Sequence, residues 1–235
     1  MNPILSVAAV PTSAAGGALL AGAAFGVAAL RRFAAKPLHP RGAVVEATLS
    51  RTGVPEGGRA SGVAWIDEPG HDRVIIRMSR AVGLPESWPD VHGLALRVPV
   101  GGDDYGDLLL ATTGWAGLGR FVLTAARRPT TRPMTTLLPY RSPAGPLLVG
   151  ARAADGGTRL RLSWSRLRGP WQQFAVVDLA ATAGPDAPLR FDPVRRTVPG
   201  LENYGWVERL REPAYATARL SRSAGDRPRE PSTSV

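Results

Sequence analysis

LLVGARAADGGTRLRLSWS, residues 147–165, places two runs of strand-forming residues on either side of Asp155-Gly156-Gly157. A three-residue connection rich in glycine joins two strands as a hairpin. Leu160, Leu162 and Trp164 alternate with Arg159, Arg161 and Ser163. A period of two with one apolar and one polar set describes a strand with one face buried and one face wet.

Working outward, the same kind of run recurs as AVVEATLS (43–50), RVIIRMS (73–79), GLALRVPV (93–100), DLLLATT (107–113), QFAVVDLA (173–180) and APLRF (187–191). Gly, Pro and Asp separate them, as strand ends require. The count is eight principal strands, four on each side of an irregular stretch from Gly114 to Pro146, and GVAWIDEPG (62–70) is a candidate ninth piece. Within the irregular stretch GWAGLGRFVLTAARR (114–128) is a candidate helix, and TTRPMTTLLPYRSPAGP (130–146) reads as loop. This spacing predicts an antiparallel barrel or sandwich. From Glu202 to about Ser223 the pattern is helical, and residues 224–235 have the composition of a disordered tail.

The chain has 235 residues, enough for a sizeable core, with 27 glycines and 22 prolines that imply many turns. It has no cysteine, which excludes disulfides, thiolate catalysis and thiolate metal sites. The net charge is +10, but Lys36 is the single lysine and the arginines are spread along the chain. A nucleic-acid role calls for a concentrated basic stripe with interleaved aromatics, so no specific nucleic-acid partner is expected. The three histidines, His39, His71 and His92, show no metal-ligand spacing.

Residues 1–37 read as a leader. Ala14 to Leu30 is an uncharged run of Ala and Gly followed by Arg31 and Arg32. It is too short and too weakly apolar for an ordinary membrane span. A loose helix, a disordered arm and a membrane-contacting segment are the three readings of 14–30. The expected location is cytoplasmic, with membrane association through 14–30 as the alternative.

Near the other end Arg211, Tyr215 and Arg219 follow at intervals of four, which puts them on one helical face. Two guanidiniums beside a phenol favour the phenolate. A phenolate is one of the recognised axial ligands of haem iron. The bland alternative is a solvated helix whose arginines cover apolar surface.

Several segments together resemble the catalases. KPLHPRGAVVEATL (36–49) is similar to the segment that carries that family's distal histidine ahead of the first barrel strand; His39, Arg41 and Gly42 match. In VIIRMSRAVGLPESWPDVHGLALRV (74–98), Arg77 and Ser79 match one family run, and Asp90, Gly93 and Ala95 match a second. DLLLATTG (107–114) resembles a third. In RFDPVRRTVPGLENYGWVERLREPAYATAR (190–219), Phe191, Pro193, Pro199, Gly200, Glu202, Arg211 and Tyr215 follow the family's approach to its proximal tyrosine.

The resemblance is to a small catalase-like haem protein of actinobacterial type. It implies an α+β fold, an eight-stranded antiparallel barrel at 38–223 with a C-terminal helix behind an Ala/Gly-rich N-terminal segment. It further implies haem b, with Tyr215 on the iron, Arg211 and Arg219 beside the phenolate, Arg77 on a propionate and His39 as the distal acid–base. Phe121 or Trp115 would pack on the porphyrin. The family's distal asparagine aligns with Thr112 and its second-run arginine with His92; Arg219 falls one residue early. The short connecting region implies open access. These departures favour peroxidase turnover of hydrogen or organic peroxides with a small organic reductant over fast dismutation. The competing reading is a degenerate barrel without haem that serves as a ligand- or partner-binding module.

Overall fold

A computed structural model describes residues 43–81, 85, 87–180, 189 and 191–209. Nine strands are present: β1 (Ala43–Thr52), β2 (Pro69–Arg80), β3 (His92–Gly101), β4 (Asp104–Thr112), β5 (Met134–Thr135), β6 (Tyr140–Ser142), β7 (Gly145–Ala154), β8 (Arg159–Ser165) and β9 (Gln172–Leu179). They are hydrogen-bonded in the order β5-β4-β3-β2-β1-β9-β8-β7-β6, and β5 also pairs with β7. That last pairing closes a ring of eight antiparallel strands, with β6 running beside β7 as a short extension. Closure removes the free sheet edges that an open sheet would expose.

Alternation decides which residues enter the barrel. Leu49, Val74, Ile76, Leu94, Leu96, Leu108, Leu147, Val149, Leu162, Phe174 and Val177 are fully or nearly fully buried in one cluster. One end is closed by the one-turn helix Ala64–Asp67, which buries Trp65 and Ile66, and by Val198 and Leu201 of the chain that leaves the barrel. Gly200 takes φ +83° here, and its position against Val63 leaves little room for a side chain.

Seven of the eight expected strands stand where the alternation puts them. The eighth does not. Leu189 and Phe191, the described residues of APLRF, lie outside any strand. Pro188 in that run lacks the backbone donor a ladder needs. The ring is completed instead by β5, whose two residues match Ala111 and Thr112 on one side and Ala151 and Gly150 on the other. The segment 62–70 forms the one-turn helix and the start of β2. The stretch 114–128 is a short 3-10 turn, Gly117–Phe121, in place of the expected helix. Glycines explain this. Gly117 sits at φ +51°, and a Cβ on Gly114 would lie 3.0 Å from the backbone of Gly119. Glu202 makes a β-bridge to Arg141, and helix begins at 205.

The Asp155-Gly156-Gly157 connection does join β7 to β8 as a hairpin. Asp155 has φ 51°, a left-handed conformation that Asp tolerates better than most residues.

The segment from Phe191 onward is tied to the barrel wall by Asp107. Its carboxylate receives Arg97 Nε at 2.8 Å and Nη2 at 2.9 Å, and the backbone N–H of Asp192 at 2.7 Å. The Arg97 guanidinium also lies 3.8 Å over the ring of Tyr105 and 4.9 Å from that of Phe191. Asp107 is fully buried. Asp107→Ala leaves the half-buried Arg97 without this carboxylate. Breaking a buried pair costs about 3–5 kcal/mol, so a large fall in the chemical-denaturation midpoint is expected. A fall below about 1 kcal/mol would show that the clamp contributes little.

Candidate functional site

Leu94, Leu96, Leu108 and Leu110 enter the core, so their strand neighbours face outward. The ladder pairs Val44 with Arg77, Arg77 with Ala95, and Ala95 with Leu109. The adjacent row on the same outer face is Ser79, Gly93 and Ala111. Four neighbouring strands span about 14 Å at the usual spacing of about 4.8 Å. The result is a shelf with an arginine and a serine at one side and three very small residues, Gly93, Ala95 and Ala111, beside them. Arg77 and Ser79 are half-buried, whereas Gly93 and Ala95 are buried although they face outward.

This shelf brings together Arg77, Ser79, Gly93 and Ala95, all singled out from sequence. It does not include Thr112. That residue follows Leu108 and Leu110 onto the interior face and is fully buried. Its hydroxyl donates to the carbonyl of Thr124 at 2.6 Å and accepts the backbone N–H of His92 at 3.1 Å. The β4 residue on Arg77's face is Ala111, one position earlier. The alternation of β4 carried that signal: two residues inward from Leu110 is Thr112, so the outward position is Ala111.

His92 is likewise buried, with Nε2 2.9 Å from the carbonyl oxygen of Ala126. Asp90 is buried, accepts Arg80 Nε at 3.4 Å and exchanges backbone hydrogen bonds with Ala126. Both fasten the 122–126 segment to the barrel. Phe121 ends the 3-10 turn and is half-buried. Trp115 is carried two strands beyond Ala111, where it stacks on Trp171 at 4.2 Å over Gly150 of β7. A Cβ on Gly150 would come within 2.8 Å of Trp115 and 2.9 Å of Trp171, so both ring edges approach the sheet this closely because that residue is glycine. His39, Arg211, Tyr215 and Arg219 lie outside the described residues, as do the leader, the segment 14–30 and the tail. Among the described residues no helix is long and apolar enough to cross a membrane, and no three His, Asp or Glu side chains converge as a metal site.

The row of Ser79, Gly93 and Ala111 carries only small side chains, and Arg77 in the neighbouring row has a guanidinium of the kind that can grip a carboxylate with two hydrogen bonds.

The closed eight-stranded antiparallel barrel with few helices matches a catalase-like core. No protein-family model and no curated protein matches the chain. Among solved structures it is similar to one described as the structure of a bacterial catalase, with a TM-score of 0.51 and 12% sequence identity. The match covers 100% of this chain and 66% of that one, so the chain spans about two thirds of the catalase's length.

Proposed function

We propose that the protein is a haem-dependent peroxidase on a catalase-like barrel, acting on hydrogen or organic peroxides with a small organic reductant. The observation that carries this is the shelf: Arg77 and Ser79 stand on one outer face with Gly93, Ala95 and Ala111. Haem, when bound, supplies the iron at which the peroxide O–O bond is cleaved.

Arg77 would hold a propionate, and Tyr215 would hold the iron as phenolate, with Arg211 and Arg219, four positions away in the sequence on either side, stabilising its charge. His39 precedes Ala43 by four residues, which bounds it to within about 14 Å of the start of β1 and the edge of the shelf. It takes the proton from incoming peroxide and returns it to the leaving oxygen. Thr112 is removed from this scheme, because its hydroxyl is committed to backbone groups. Ala111 offers no hydrogen bond where the shelf meets β4, and this supports peroxidase turnover over dismutation. We place the reaction in the cytoplasm as part of the same proposal, with 14–30 as the segment that would give membrane contact.

The test is His39→Ala in the haemin-loaded protein. A general acid–base group contributes about 10²–10⁴-fold. The variant is expected to keep the haem absorption and to lose at least about 10²-fold in its rate with peroxide. A rate equal to wild type would remove His39 from the reaction.

A further inference from the structure

A second site lies on the outer face of β7–β9, and it depends on no porphyrin. A cavity of about 300 Å³ is lined by Trp115, Arg152, Arg161, Ser163, Trp171 and Gln173 among others. Arg152 and Arg161 are direct cross-strand partners, both exposed. Like charges placed opposite each other destabilise a strand pair. The acids nearest along these strands do not relieve them: Asp155 and Asp178 are both paired with Arg159. Among the described residues neither Arg152 nor Arg161 has a carboxylate partner.

Ser163 lies beside them at 7% exposure and lines the same cavity. The wall is the tryptophan pair, with planes 18° apart. Trp171 Nε1 donates to the carbonyl of Trp115 at 2.7 Å, which fixes the two rings together. The Arg152 guanidinium lies 5.5 Å over Trp115, so its planar fork is already oriented by the ring.

We propose that this pocket binds a planar aromatic carboxylate. The carboxylate sits between Arg152 and Arg161, whose guanidiniums match its geometry. Ser163 donates its hydroxyl, and the ring lies against the tryptophan pair. The volume is at the small end of ligand pockets, which run from about 300 to 1,000 Å³. It suits a single-ring acid, which has one ring for the tryptophan wall and one carboxylate for the arginine pair.

The experiment is calorimetric titration of the full chain with benzoate, and in parallel with inorganic phosphate and AMP. Benzoate is expected to bind the wild type at a single site and to outcompete both comparators. Arg152→Gln with Arg161→Gln is expected to weaken it at least tenfold, and Ser163→Ala severalfold. Both arginines are exposed, and the thermal midpoint of the double variant is expected to equal or exceed that of wild type. No binding of benzoate at millimolar concentration overturns the proposal, and so does undiminished binding to the double variant. Equal binding of phosphate would reduce the site to a charge pair without ring recognition, and tighter AMP binding would show that it takes a phosphate ester in place of an aromatic carboxylate; either result overturns the proposal as well.

Discussion

Replacing Arg120 with alanine is expected to lower the thermal midpoint by on the order of 10 °C. Arg120 ends up 3% exposed at the end of the 3-10 turn, with no carboxylate partner among the described residues. Burial accordingly pulls its pKa below the ordinary arginine value. Its charge is instead met by oxygens. Nη1 faces Ser165 Oγ at 2.8 Å and the carbonyls of Arg166, Leu167 and Gly169 at 3.1–3.2 Å, and Nη2 reaches the carbonyl of Trp115 at 3.4 Å. The guanidinium also lies 4.7 Å from the ring of Trp171. One side chain therefore holds the loop after β8, the turn before Phe121 and the tryptophan pair.

Alanine removes the one donor shared by these acceptors, and each hydrogen bond from a charged group is worth about 1.5–3 kcal/mol. The sum after relaxation is about 3–5 kcal/mol, comparable to breaking a buried charge network. In a domain of this length each kcal/mol moves the midpoint by about 2–4 °C. Arg120→Lys is expected to recover little, because a single ammonium cannot reach acceptors spread around a planar fork. A midpoint within about 2 °C of wild type for Arg120→Ala would show that these loops are held by other contacts.

Tyr215→Phe is expected to abolish haem uptake. The phenolate is the only group proposed on the proximal side of the iron, and phenylalanine keeps the ring while removing the oxygen. Wild type with haemin is expected to develop a high-spin ferric Soret band, and Tyr215→Phe is expected to leave haemin as in buffer. The thermal midpoint of the two apoproteins should agree within a few degrees, which separates loss of a ligand from loss of the fold. A variant that takes up haemin with the wild-type spectrum would show that another side chain holds the iron.

The barrel was legible in the sequence because most strands keep an alternation long enough to see. Leu160, Leu162 and Trp164 announce β8, and Asp155-Gly156-Gly157 announces its hairpin. β5 was not legible: two residues carry no period, and Met134–Thr135 is a strand only because β4 and β7 lie on either side of it. The same holds for Arg120, four of whose five acceptors lie 45 to 49 residues further along the chain and meet it only once the barrel has closed. Thr112 illustrates a different limit. Motif alignment chose the polar residue, whereas strand alternation places it inside and turns Ala111 to the shelf. Trp115 and Trp171 are 56 residues apart, and nothing local in either stretch indicates that they stack. By contrast, Arg77 and Ser79 needed only the two-residue period of β2 to be placed together.

The most direct measurement is an absorption titration of the full-length apoprotein with haemin. The account predicts a Soret band that grows to saturation at one haemin per chain and has the high-spin ferric form of a phenolate-ligated site. A titration indistinguishable from haemin in buffer would contradict it, and would leave the shelf on β1–β4 as a feature of the barrel with no porphyrin to hold.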